Sequence, residues 1–73
     1  MLRVEGEPAF HLTARELEIV KLLASGLSVR AASIQLGLST RTVESYVKQS
    51  RLKLGARNQA HMIAQAMNSG LIG

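Results

Sequence analysis

The stretch Ser39-Thr40-Arg41-Thr42-Val43-Glu44-Ser45-Tyr46-Val47-Lys48-Gln49-Ser50-Arg51-Leu52-Lys53-Leu54-Gly55 decides the fold of this 73-residue chain. It carries the start and stop signals of one helix, over about residues 40–54. Ser39 suits the N-cap, because its hydroxyl can accept from an otherwise orphaned backbone N–H in the first turn. Leu38 before the cap and Val43 after it can close as a hydrophobic staple. Gly55 can take the left-handed conformation that ends a helix.

The two faces of this helix differ. At about 100° per residue, Val43, Tyr46, Val47, Ser50 and Leu54 share one side, mostly apolar and fit for a core. Arg41, Glu44, Ser45 and Lys48 share the other, with Gln49 and Arg51 at its margins. That outer row is rich in side chains that donate or accept hydrogen bonds. It suits the edges of base pairs in a major groove, which is wide enough to admit a helix. Taken alone, it would more readily suit a solvated helix face.

Working outward, the same punctuation recurs. Ser28 is an N-cap for a short helix, residues 29–36, that stops at Gly37. Gly37-Leu38-Ser39 then leads directly into the long helix. A short helix, a tight Gly-containing turn and a longer helix with a polar outer face form a helix-turn-helix. The small residues Ala31, Ala32 and Ser33 allow the two helices to approach closely. Upstream, Thr13-Ala14-Arg15-Glu16 is a capping box, with Leu12 and Leu17 at its staple positions. It opens a helix over residues 14–25, stopped by Gly26, in which Leu17, Val20, Leu23 and Ala24 repeat at helical spacing. Downstream, Asn58 caps a last helix over residues 59–69, ended by Gly70, after which Leu71 and Ile72 can fold back onto the core. This helix has two apolar rows: Ala60, Ile63, Ala64 and Met67, and beside them Met62 and Ala66. One row must pack on the core. The other either widens that contact or leaves an apolar strip for a partner helix.

The expected fold is therefore all-α: a four-helix domain with a helix-turn-helix. Residues 12–73 make one domain, since this length cannot supply two cores, and residues 1–11, with Gly, Pro and mixed charge, are read as a linker or tail. Hydrophobic residues are 47% of the chain and aromatics 3%, Phe10 and Tyr46 only, so the core must be aliphatic.

The net charge is +4, and its distribution says more than its size. Glu5, Glu7, Glu16 and Glu18 offset Arg3, Arg15 and Lys21. From Ser28 to Asn58 the bases are Arg30, Arg41, Lys48, Arg51, Lys53 and Arg57, against the single acid Glu44. A basic half on a small helical domain is the footprint of a polyanion partner. Cysteine is absent, which excludes disulfides and thiolate metal sites. No apolar run could cross a bilayer and there is no secretory signal pattern, so a soluble, cytoplasmic chain with no membrane partner is expected. With no Asp, and with His11 and His61 away from any Glu at relay or metal-ligand spacing, neither an enzyme nor a metal site is expected. No cofactor is expected either; each internal glycine of the helical region is explained as a helix stop.

Leu12-Thr13-x-Arg15-Glu16, Leu22-Leu23-Ala24-x-Gly26-x-Ser28, Leu36-x-Leu38-Ser39-x-x-Thr42-Val43, Lys53-Leu54-Gly55 and Gly70-Leu71-Ile72 stand in this order. With them the chain resembles the LuxR/GerE-type DNA-binding domain from Leu12 to Ile72. The resemblance implies the C-terminal output domain of a bacterial transcription regulator, bound to double-stranded DNA as a homodimer on a two-fold symmetric site. Its third helix would enter the major groove. Glu44, Ser45 and Lys48 would contact bases; Ser39, Thr40, Arg41 and Thr42 would contact phosphates, with Arg30, Arg51 and Lys53 as further candidates. The dimer contact of the fourth helix would fall on Ala60, Ile63, Ala64 and Met67. RNA polymerase is an implied partner, and any small-molecule signal would act only through a preceding sensing domain. Regulators of the quorum-sensing branch look most similar across Ala60-His61-Met62-Ile63-Ala64.

The departures from the family pattern carry expectations of their own. Ala31 stands where a Glu often completes a capping box, so the second helix is expected to fray. Glu44 stands where a base is frequent; it would be repelled by phosphates but can accept from cytosine N4. Tyr46 replaces a common His and is read chiefly as packing. The alternative function is a helical protein-interaction module that docks a partner on its last helix.

Overall fold

The computed structural model describes residues 11–73. The linker reading of residues 1–11 thus lies, His11 apart, outside the described residues. These form four helices and no strand: α1 (Ala14–Ala24), α2 (Val29–Leu36), α3 (Thr40–Lys53) and α4 (Gln59–Asn68). All four expected helices are present. Three end one residue earlier than expected, because Ser25, Leu54 and Ser69 turn to ψ of 0°, 0° and −5° and act as C-caps.

Each helix starts at the cap residue its sequence offers. Thr13 Oγ1 accepts from the Glu16 N–H at 3.1 Å, and Glu16 Oε1 accepts from the Thr13 N–H at 2.8 Å, closing the capping box. Ser28, Ser39 and Asn58 accept from Ala31, Thr42 and His61 N–H groups at 3.0, 3.1 and 2.8 Å. Ser28 alone therefore suffices to start α2, which spans its full eight residues; the missing Glu at position 31 does not shorten it. The α2–α3 turn depends on Gly37, whose φ of 71° is a region that side-chain-bearing residues disfavour. It lets the Leu38 N–H reach Ser33 C=O at 2.9 Å while its own N–H bonds Ile34 C=O at 3.2 Å, so two of the orphan carbonyls at the end of α2 are satisfied.

The core is aliphatic, as the composition requires. Ile19, Val20 and Leu23 of α1 meet Ala32 of α2, Val43 of α3, Leu54 and Ala56 just beyond α3, and Met62 and Ala66 of α4; Ile72 folds back to join them. α1 and α3 each touch every other helix, whereas α2 and α4 touch only those two and not each other. Ala32 and the buried Ser33 lie where α2 comes down on the core. The hydroxyls of Ser33 and Ser50 donate to Arg30 and Tyr46 carbonyls in their own helices at 2.7 and 2.8 Å, so these small residues bring no unsatisfied donor inside.

One buried group links the two central helices. Glu16 is 2% exposed, and its Oε1 accepts from Lys53 Nζ at 2.8 Å as well as from Thr13. The contact joins the first turn of α1 to the last turn of α3. Burial pushes the Glu16 carboxyl up, but the Lys53 and Thr13 donors and the Lys53 charge outweigh it and hold the group below the usual carboxylate range. A carboxyl held low when folded takes up its proton later on acidification than it does unfolded. Its contribution is thus present above the ordinary carboxylate pKa of about 4.3 and is lost as the pH falls through the folded value. Glu16→Gln is expected to lower the unfolding free energy at neutral pH by about 1–3 kcal/mol and to flatten the decline in stability on acidification. Urea denaturation between neutral and acidic pH checks this; an acid limb identical in both proteins would refute it.

Candidate nucleic-acid interface

The buried residues of α3, Val43 and Ser50, lie on one side of the helix, with Tyr46 and Val47 half-buried beside them. Arg41, Glu44, Ser45, Lys48 and Gln49 are all exposed. The face expected to be outward is therefore outward. Gln49, placed at its margin from the sequence, stands within it: Gln49 and Ser45 together wall two shallow depressions. One, of about 450 Å³, is completed by Arg41, Thr42 and Tyr46. The other, of about 380 Å³, is completed by Lys48, Leu52 and Lys53.

The first turn of α3 is the second part of the surface, and Ser39, Thr40, Arg41 and Thr42 are exposed there. The Ser39 hydroxyl accepts from the Thr42 N–H and gives its own proton to Thr42 Oγ1 at 2.9 Å. That leaves the Thr42 proton free to point outward. The Thr40 and Arg41 N–H groups precede the first helical acceptors and find none among the described residues. Open N–H groups at a positive helix end, with a guanidinium beside them, favour an anion.

Of the further basic candidates, Arg30 on α2 is exposed, while Arg51 and Lys53 are half-buried. Lys53 is the one with a structural partner, Glu16, and its charge is balanced there. Glu44 is the one exposed acid on α3. Glu18 on α1, also exposed, pairs with Arg15 at 3.2 Å.

On α4 the two apolar rows separate. Met62 and Ala66 are fully buried, and Ala60, Ala64 and Met67 are exposed with Ile63 half-buried. The core thus takes the narrower row and leaves the other as a strip. His61 completes a turn: its Nδ1 accepts from the Arg57 N–H at 3.0 Å. Among the described residues no group of three His, Cys, Asp or Glu side chains could hold a metal ion, and no helix is long and apolar enough to cross a membrane.

Sequence reasoning missed two features of this surface. The Glu16–Lys53 contact spans 37 positions, beyond any local pattern. Leu52 is 63% exposed, although the helical period alone puts it opposite the core.

Comparison with known proteins agrees on one family. The family described as "Bacterial regulatory proteins, luxR family" (GerE) matches residues 11–66. The transcriptional regulatory protein YdfI of Bacillus subtilis is 36% identical over 61 residues, which is 84% of this chain and 29% of YdfI. The chain spans less than a third of the length of the curated relatives it matches. Among solved structures, the transcription factor GerE superposes with a TM-score of 0.80 at 34% identity, covering 85% of this chain and 92% of GerE. VqmA of Vibrio cholera, in a complex with ligand and DNA, gives 0.81 at 35% identity, over 86% of this chain and 28% of VqmA.

Because Arg41, Glu44 and Lys48 touch nothing in the core, alanine at each is expected to change the unfolding free energy by less than about 0.5 kcal/mol. Thermal denaturation checks this, and a loss above about 2 kcal/mol would mean that the face serves the fold.

Proposed function

The chain belongs to the luxR family of bacterial regulatory proteins, and we propose that it binds duplex DNA sequence-specifically as the output module of a transcription regulator. In this reading α3 lies in the major groove, with Glu44, Ser45 and Lys48 against base edges. Phosphates take the first turn of α3, through Thr40 and Arg41 N–H groups, the Thr42 hydroxyl and the Arg41 guanidinium, while Ser39 chiefly shapes that turn as its cap. Arg30 and Arg51 reach neighbouring phosphates; Lys53 contributes less, since Glu16 already balances it. Two copies meet through the α4 strip of Ala60, Ile63, Ala64 and Met67, and so match two half-sites about one helical turn apart.

The observation that carries the reading is the outward row of α3, polar, exposed and continuous with an open helix N-terminus. Backbone neutralisation supplies sequence-independent affinity that weakens with salt, and contacts to base edges supply choice. Glu44 accepts from a cytosine amino group and Lys48 donates to guanine O6 or N7.

Selection of bound sequences from a random duplex pool tests the proposal. A two-fold symmetric motif is expected, and no enrichment would overturn it. On the selected duplex, Arg41→Ala should weaken binding to all sequences alike and reduce the salt dependence by about one phosphate. Lys48→Ala and Glu44→Ala should instead change which base is preferred, each by roughly 1–3 kcal/mol at one position per half-site; uniform losses would count against readout by those residues. The second reading, a protein-docking module, rests on the α4 strip alone. A salt-insensitive protein complex together with no DNA binding would favour it.

A further inference from the structure

Leu52 stands nine residues, two and a half turns, after Val43. Val43 is fully buried, so Leu52 occupies the side of α3 diametrically opposite the core. It is 63% exposed. A single exposed leucine is ordinary on a protein surface; its neighbours make this one informative. Leu52 shares its depression with Ser45, Lys48 and Gln49. These four are spaced i, i+3, i+4 and i+7, the spacing with which a homeodomain's third helix presents four side chains to the major groove.

From this arrangement we propose that Gln49 and Leu52 complete the base-reading row of α3, with an adenine under Gln49 and a thymine methyl against Leu52; the proposal rests on the DNA reading above. Gln49 is exposed, and its amide makes no hydrogen bond among the described residues. A carboxamide offers a donor and an acceptor side by side, which matches adenine N6 and N7 in the major groove. Leu52 has no hydrogen-bonding group, and the one apolar feature of a base edge in that groove is the C5-methyl of thymine. Any other edge there would lose water from a polar group and gain nothing in return. The row therefore runs from a polar, charged end at Arg41 and Glu44 to an A·T-selective end at Gln49 and Leu52.

The test uses the duplex selected by the parent chain, with chemically edited bases. Each thymine is replaced in turn by uracil, which removes only the methyl, and each adenine by 7-deazaadenine, which removes only the N7 acceptor. The parent should lose about three- to fourfold in affinity at one thymine per half-site, and about fivefold or more at one adenine. Leu52→Ala should become blind to uracil while still penalising 7-deazaadenine, and Gln49→Ala should show the reverse. Both variants should unfold at the parent's temperature. The parent's own response to the edited bases tests the idea without either variant. Indifference of the parent to both edits overturns the assignment, as does an undiminished penalty in the matching variant. Failure of the parent to select any duplex is a separate result, seen before any edit is made; it overturns the DNA reading itself and this assignment with it.

Discussion

The Glu16 carboxylate ties together the two helices on which everything else is built. It sits at the third position of α1, buried, and accepts from the Thr13 backbone and from the Lys53 ammonium at the far end of α3. One atom thus serves as the second half of a helix cap and as an anchor for the helix that carries the outward row. A carboxylate placed there without partners would cost several kcal/mol in desolvation. With two donors it instead ties the first turn of α1 to the last turn of α3, because drawing the helices apart there would strip the Lys53 ammonium from a buried carboxylate. The aliphatic core around Ile19, Val20 and Val43 supplies attraction without direction, and the charged contact supplies the direction.

The outer surface follows from that placement. A helix held by one face over four turns presents its opposite face as a straight row, and a backbone already fixed has little freedom left to lose on binding. Within the row, charge and shape are graded. The N-terminal turn has open N–H groups and Arg41; the middle has Ser45 and Lys48; the last turns are flatter and more apolar at Leu52. Glu44 is the one acid on α3, set among Arg41, Lys48 and Arg51, and so lowers the positive potential of the row.

Most of the fold was legible because its signals are local. Thr13, Ser28, Ser39 and Asn58 as starts, and the glycines as stops, each involve groups within about four residues, which a linear reading can weigh. The inward and outward residues of α3 follow from one periodicity, and so does the division of α4, although only the structure decides that Met62 and Ala66 win the core. Reach was the limit. Lys53 reads from its neighbours as one more base in a basic half, and nothing near it in sequence announces a carboxylate 37 positions away. Leu52 was left off both faces for a different reason: its apolar type suits the core while its angular position lies opposite it, and only the structure shows that position wins. The helix ends were one residue long at Ser25, Leu54 and Ser69, since a serine or leucine whose ψ opens to zero looks no different from one that continues the helix.

The lack of contact between α2 and α4 has a consequence for how such a domain can diverge. Both rest on the α1–α3 pair, and their backbones do not approach each other. On the proposed reading, drift in the exposed residues of α4 can retune self-recognition, and drift around Arg30 can retune the neighbouring helix pair, with no compensating change demanded of the other helix's backbone packing. A duplicated copy could thus acquire a new mate before it acquires a new address, or the reverse, with the shared scaffold left intact.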